Sequence, residues 1–336
     1  MQLDFEHRHA AHCENGVVRN LLNFYGIQLS EPMILGLGSG IFFSHMPFYK
    51  LHGMPLTSFR PFPGTIFNRV TKTLGIDIQW HKFKDPDKAM QKLDEILFKG
   101  IPVGLRVGVY NLSYFPQEYR FHFNAHNLCV IGKEEDEYII SDPIGMNKHR
   151  ISSADLKKVR YAWGTSPPKG RMYYIKSLKD YRPLDEKMID KATLKTCSDM
   201  LHIPFPMFGA QGVAYLGRRM RKWEDMYGKR GAALNLAQVI RMLEEIGTGG
   251  AGFRFMYAAF LQEASEMLNR PLWNQLSMEL SETGDMWRDF SYHGARFFKN
   301  REGKIQSYDD LATKLQIISD RETDIFTRLE KSIKRG

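Results

Sequence analysis

The first apolar pattern starts at position 13. Val17, Val18, Leu21, Leu22 and Tyr25 recur at helical spacing and Gly26 follows, which predicts a helix over residues 13–25. Ser30 and Pro32 have helix-start character, and Gly36, Gly38 and Gly40 mark its end. Residues 41–64 hold Pro47, Pro55, Pro61 and Pro63 and read as loop. Two helices follow, over 66–74 and 88–99. The second carries Met90, Leu93, Ile96 and Leu97 on one face, with Gly100 behind it. The period then shortens. Residues 101–109 are apolar and β-branched, 127–132 form a buried strand, and 138–140 a third, joined to it by the acidic turn 134–137. A further short strand lies at 172–175. Helices first and an antiparallel sheet second is an α+β pattern.

Past residue 200 helical periodicity takes over, in segments at 232–246, 253–268, 272–290 and 311–333. The charged stretch 179–200, which contains Pro183, suits a linker. The predicted organisation is a sheet-bearing domain over 1–178, a linker over 179–200 and an all-helical domain over 201–336. No internal repeat or low-complexity segment interrupts it.

Composition adds bounds. A chain of 336 residues with 43% hydrophobic and 25% charged residues has enough apolar material for one large or two ordinary domains. Three cysteines without CxxC spacing argue against a disulfide framework or a structural zinc site and for a reducing compartment. No apolar run approaches the ~18 residues that would span a bilayer, and the first ten residues are polar. A cytoplasmic protein without stable membrane insertion is therefore expected. The net charge of +9 favours an anionic partner. With no nucleic-acid motif, an acidic protein or a membrane surface remains.

Candidate chemistry centres on His12, Cys13, Glu14, Asn15 and Gly16. Cys13 opens the first helix, where unpartnered amides and the dipole favour a thiolate. A cysteine nucleophile needs a base and an orienting group. His126 opens a buried strand and Asp142 follows one hairpin later, so antiparallel pairing would set them side by side. Cys13, His126 and Asp142 are the catalytic candidates. Singly, each also fits a bland reading: a small buried thiol, a surface histidine, an Asp-Pro turn. Glu14, Asn15, Tyr114 and Tyr119 are substrate-binding candidates. Glu14 would either meet a cationic acceptor or complement the helix N-terminus. His7, His9, His12 and Cys13 are metal-ligand types, but no metal is expected. The run 36–40 lacks the lysine and strand of a phosphate loop, and 247–250 reads as a tight turn.

Several of these stretches together resemble the family of the butirosin biosynthesis protein BtrH, whose amino-terminal domain is papain-like. They are residues 12–16 with their helix, residues 29–43, residues 102–115, and residues 126–132 running on to 141–145. The helical half resembles the domain of unknown function that often follows, marked by 247–250, Phe253, Arg254 and residues 256–264. The resemblance implies a papain-like fold with Cys13, His126 and Asp142 as its triad. It further implies transfer of an acyl group from an acyl carrier protein to an amine or hydroxyl acceptor in specialised-metabolite biosynthesis. No bound cofactor is implied; phosphopantetheine comes with the donor. Papain-like peptidases place a glutamine six residues before the cysteine as an oxyanion donor. Here that position is His7, so the Cys13 amide and His7 are the oxyanion candidates. A papain-like peptidase or amidase, and a non-catalytic binding protein, are the rival expectations. A homodimer is left open.

Overall fold

The computed structural model describes residues 1–51, 53–246, 249–299, 301 and 303–334. The chain divides into two units, residues 1–34 with 67–183 and residues 35–66 with 184–336. Helices α2 (Glu31–Leu37) and α3 (Thr65–Thr73) each run across a boundary between them.

The first unit is built on a six-stranded antiparallel sheet. Its strands are β3 (Asp77–His81), β4 (Val103–Val107), β5 (His126–Glu134), β6 (Glu137–Ser141), β7 (His149–Ser152) and β8 (Met172–Ser177), in the order β3-β8-β4-β5-β6-β7. β4 is buried at every position and β5 from His126 to Gly132. Strands buried on both faces need cover on both faces. One face takes α4 (Pro86–Phe98) and α5 (Ser153–Arg160), whose Leu93, Ile96, Leu97, Leu156 and Val159 pack on Val103, Leu105, Val107, Leu128 and Val130. Asp85 caps α4 by accepting from the amide of Asp87 at 2.8 Å, and Pro86 takes the first position, where a missing N–H does no harm. The alternate positions of the sheet, which include Asn127 and Cys129, face α1 (Cys13–Phe24). The arm before α1 is fastened to this sheet: Leu3 donates to the Ile131 carbonyl at 2.9 Å and Ala10 to the Pro143 carbonyl at 2.7 Å.

The second unit holds the hairpin of β1 (Ser44–Leu51) and β2 (Met54–Ser58). It also holds helices α6 (Glu186–Leu201), α7 (Gly209–Met220), α8 (Trp223–Glu244), α9 (Arg254–Leu268), α10 (Pro271–Phe298) and α11 (Tyr308–Lys334). Its core gathers Phe43, Phe59, Trp223, Leu236, Trp287, Phe290, Leu311 and Ile318. α8 is broken at Gly228, whose φ of 66° suits a residue without Cβ.

The α+β class, with an antiparallel sheet followed by a helical region, is what the periodicity predicts. Three parts of the predicted organisation are corrected. The stretch read as a linker is mostly α6: Asp185 caps it by accepting from the Met188 amide at 2.8 Å, and Met188, Ile189, Ala192, Cys197 and Met200 form its buried stripe. The proline-rich segment read as loop is the β1–β2 hairpin, with a bulge between Met46 and Lys50 that absorbs Pro47. That segment also groups with the helices, so the first domain is not the continuous 1–178. The turn expected at 247–250 falls partly on Gly247 and Thr248, which lie outside the described residues. Among the described residues, no helix is long and apolar enough to cross a membrane.

Candidate active site

Cys13 is the first residue of α1. His12 stands before it with extended backbone (φ −129°, ψ 128°), and its Nδ1 accepts from the Asn15 amide at 3.4 Å. An imidazole nitrogen that accepts must be deprotonated, so His12 carries its proton on Nε2. The Glu31 carboxylate takes the amides of Ala11 at 3.0 Å and His12 at 2.8 Å and so fixes the approach to the helix. Gly16 explains the end of the motif. A Cβ there would overlap the Pro143 ring and stand 2.6 Å from Ala10 Cβ. A bare glycine lets α1 lie directly against the Asp142–Pro143 corner.

His126 opens β5 and Asp142 follows β6, and the antiparallel pairing of these strands brings the two together. His126 Nε2 meets Asp142 Oδ2 at 2.7 Å. The other side of the ring hydrogen-bonds Cys13, and Phe115 packs edge-on against it with centroids 5.8 Å apart. Cys13, His126 and Asp142 are 5%, 4% and 0% exposed. Burial alone would strip the proton from His126. The charge and hydrogen bond of Asp142, with a contribution from Cys13, outweigh it and raise the imidazole to about 10. Burial likewise opposes the charge on Asp142. His126, Tyr114 and the Ile144 amide reverse that and hold its carboxyl below the ordinary value. The geometry therefore favours an imidazolium–carboxylate pair beside the Cys13 sulfur. Burial pushes the thiols of Cys129 and Cys197 up, away from the reactive form.

The other candidates fall in different places. Tyr114 supports the triad's carboxylate. Its hydroxyl donates to Asp142 Oδ2 at 2.8 Å and its ring stacks on His149 with centroids 4.5 Å apart. Tyr119 is exposed on a short 3₁₀ turn, Gln117–Tyr119. Glu14 is buried, and its Oε1 accepts from the Phe67 amide at 3.2 Å in the first turn of α3. That carboxylate complements a helix start, as in the second of its two readings, but the helix is α3 rather than its own. Asn15 is fully buried in α1. His7 is corrected most clearly. Its Nε2 donates to the Gly145 carbonyl at 3.1 Å, which leaves Nδ1 to accept from the Ser141 hydroxyl at 2.8 Å. Burial lowers its pKa. His7 thus ties together the two ends of the turn that carries Asp142, and its one proton is not directed at an oxyanion. Among the described residues no group of three or more His, Cys, Asp or Glu side chains is arranged to hold a metal ion.

One polar residue escaped the sequence reading. Asn127, directly after His126, points its Nδ2 at Cys13 Sγ from 3.9 Å. A polar side chain inside an otherwise apolar strand was its only signal.

Residues 12–143 match the family described as butirosin biosynthesis protein H, N-terminal. Residues 154–329 match a domain of unknown function, DUF4872. No curated protein matches the chain. A crystal structure from Bacillus anthracis, described as a C39-like peptidase, is 14% identical and covers 53% of this chain and 92% of its own, with a TM-score of 0.35.

Proposed function

We propose, on the premise that the chain belongs to the butirosin biosynthesis protein H-like family, that it is a cysteine-dependent acyltransferase. Its donor would be an acyl group on a carrier-protein thioester and its acceptor an amine or hydroxyl. The observation that carries this reading is the buried line Cys13–His126–Asp142.

The Cys13 thiolate adds to the thioester carbonyl. As the carbon–sulfur bond to phosphopantetheine breaks, the His126 imidazolium gives its proton to the departing thiol. The acyl group is now a thioester on Cys13, and His126 is neutral. It can then take a proton from an attacking amine or hydroxyl while the bond to Cys13 breaks, which restores the thiolate–imidazolium state. Asp142 keeps the ring oriented through both halves. One thioester replaces another, so the first half needs no ATP. A buried nucleophile also keeps bulk water from the acyl enzyme, which supports transfer over hydrolysis.

The basic excess supports a carrier donor. Arg218, Arg221, Lys222, Lys229 and Arg230 are exposed at the end of α7 and the start of α8, a face suited to an acidic protein. Arg221 already pairs with Asp309 at 2.5 Å.

The test supplies an acyl carrier thioester and a panel of amines. Acylated protein by intact mass, discharged faster by an amine than by water, fits acyl transfer. Cleavage of peptides without any adduct would favour a peptidase. Full activity in both Cys13→Ala and His126→Ala would remove the assignment.

A further inference from the structure

Acylation of a thiol passes through a negative oxygen two bonds from the sulfur. In a site this buried, that oxygen needs donors fixed in advance. Cys13, as the first helical residue, brings a backbone amide directed out of its helix. The side-chain donor expected from the amino-terminal arm is missing, because His7 directs its proton at Gly145.

A different amide stands at the sulfur. Asn127 Nδ2 lies 3.9 Å from Cys13 Sγ. An oxygen attached to the carbon that the sulfur attacks needs a donor at ~2.7–3.1 Å, and Nδ2 is a side-chain N–H aimed at that sulfur. Two neighbours set the direction of the amide. Nδ2 also donates to the Ala125 carbonyl at 3.2 Å, and Oδ1 accepts from the Tyr173 hydroxyl at 3.1 Å. Flipping the amide would press Oδ1 against the Ala125 carbonyl oxygen, so the N–H must face the sulfur.

Tyr173 is itself held firmly. Its ring packs against both Phe67 and Trp80, with centroids 4.6 Å from each. Burial drives its phenol well above the ordinary value, so it remains an O–H donor. To reach Asn127 from β8 the ring must cross β4, and it does so over Gly104, the partner of both Tyr173 and Cys129 in the sheet register. A Cβ at Gly104 would overlap the Tyr173 ring. Three strands thus contribute to aiming one side-chain amide.

We propose that the Asn127 side-chain amide is the second oxyanion donor of this site, a catalytic residue held in place by Tyr173 as a positioning residue. The assignment rests on Cys13 being acylated, as the acyl-transfer reading requires. As the thiolate pair forms the new carbon–sulfur bond, the carbonyl π pair moves to oxygen, where Nδ2–H and the Cys13 N–H meet it. It returns when the bond to the leaving group breaks. His126 and Asn127 are consecutive on a strand and project to opposite sides, so base and oxyanion donor reach the sulfur from two directions.

The test pairs two reactions of Cys13. p-Nitrophenyl acetate acylates it through an oxyanion; iodoacetamide alkylates it without one. Asn127→Ala should slow acylation by about 100-fold or more and leave alkylation near the wild-type rate. Tyr173→Phe should show the same split with a smaller loss, and it carries the test if the alanine variant does not fold. Acylation at the wild-type rate in Asn127→Ala, or parallel loss of both reactions in both variants, would overturn the proposal. Asn127-dependent acylation by the ester with none from a carrier thioester would remove the carrier reading and keep the donor. The reverse pattern would remove the donor and keep the reading. Wild-type Cys13 that neither reagent acylates would overturn both.

Discussion

The sheet-bearing unit and the helical unit each hold an ion pair shut away from water, and the two pairs differ in what their chemistry allows. In the helical unit, Arg254 and Glu322 are both fully buried. They meet through two parallel bonds, Nε to Oε1 at 2.8 Å and Nη2 to Oε2 at 2.9 Å. Trp287 Nε1 donates to the same Oε1 at 2.8 Å, and Arg254 Nη1 donates to the Gly252 carbonyl at 2.7 Å. The guanidinium lies 5.7 Å from the Phe59 ring and 5.4 Å from that of Trp287. Its partners are all groups of the fold, and a guanidinium does not give up its proton in proteins. In the sheet-bearing unit the cation is an imidazolium. It can release its proton, and its second nitrogen faces the Cys13 sulfur instead of a wall. A buried pair alone is therefore no mark of an active site. What marks one is a member that can move a proton beside a nucleophile that can use it.

The comparison breaks most sharply at His126. His126→Ala should reduce acylation of Cys13 by about 10³-fold, read as single-turnover rates with a carrier thioester. A loss of less than tenfold would put His126 with Arg254, as a structural residue. Glu322→Gln tests the other side. Removing one charge of a fully buried pair should lower unfolding stability by about 3–5 kcal/mol, read from the urea midpoint. An unchanged midpoint would mean that the arginine finds other partners.

Acidity separates the pairs more gently. His126 is raised from 6.5 to about 10. Its contribution to stability is therefore full below pH 6.5, declines above that, and is gone once pH passes about 10. Asp142 is lowered, so its contribution holds above the ordinary carboxylate range and disappears as pH falls through its folded value. Wild type should thus lose stability relative to His126→Ala between pH 6.5 and 10. A difference that stays flat over that window would contradict the charged pair. The smallest expected effect is that of Tyr114→Phe. It removes one donor from Asp142 and should weaken the pair by about 1–2 kcal/mol. The pH at which the imidazole deprotonates should shift, while the fold survives.

The part of this site legible in the sequence is the part written as local pattern. A helix start after His12, a strand start at His126 and a turn after β6 each have signals within a few residues, and antiparallel pairing supplies the rest. The roles of Tyr114, His7 and Asn127 arise from contacts between distant segments, and their spacing carries no period. The same holds for the fold. β3 and β7 are short edge strands with mixed polarity, so alternation barely shows. α7 carries Gly209, Gly212 and Gly217, which weaken helix propensity. They are tolerated because two of them allow close approach to neighbouring backbone: a Cβ at Gly212 would stand 2.8 Å from the Met207 carbonyl, and one at Gly217 3.0 Å from that of Ala312. α6 hides its buried stripe among Ala192, Thr193 and Thr196, residues that do not read as a core.

The central claim is that the Cys13 sulfur accepts an acyl group. The most direct measurement is a peptide map of the intact protein after incubation with an acyl carrier thioester and quenching in acid. The account predicts the acyl mass on the peptide containing Cys13, and none in Cys13→Ala. An unmodified Cys13 peptide in wild type, or the same acyl mass retained in Cys13→Ala, would contradict it.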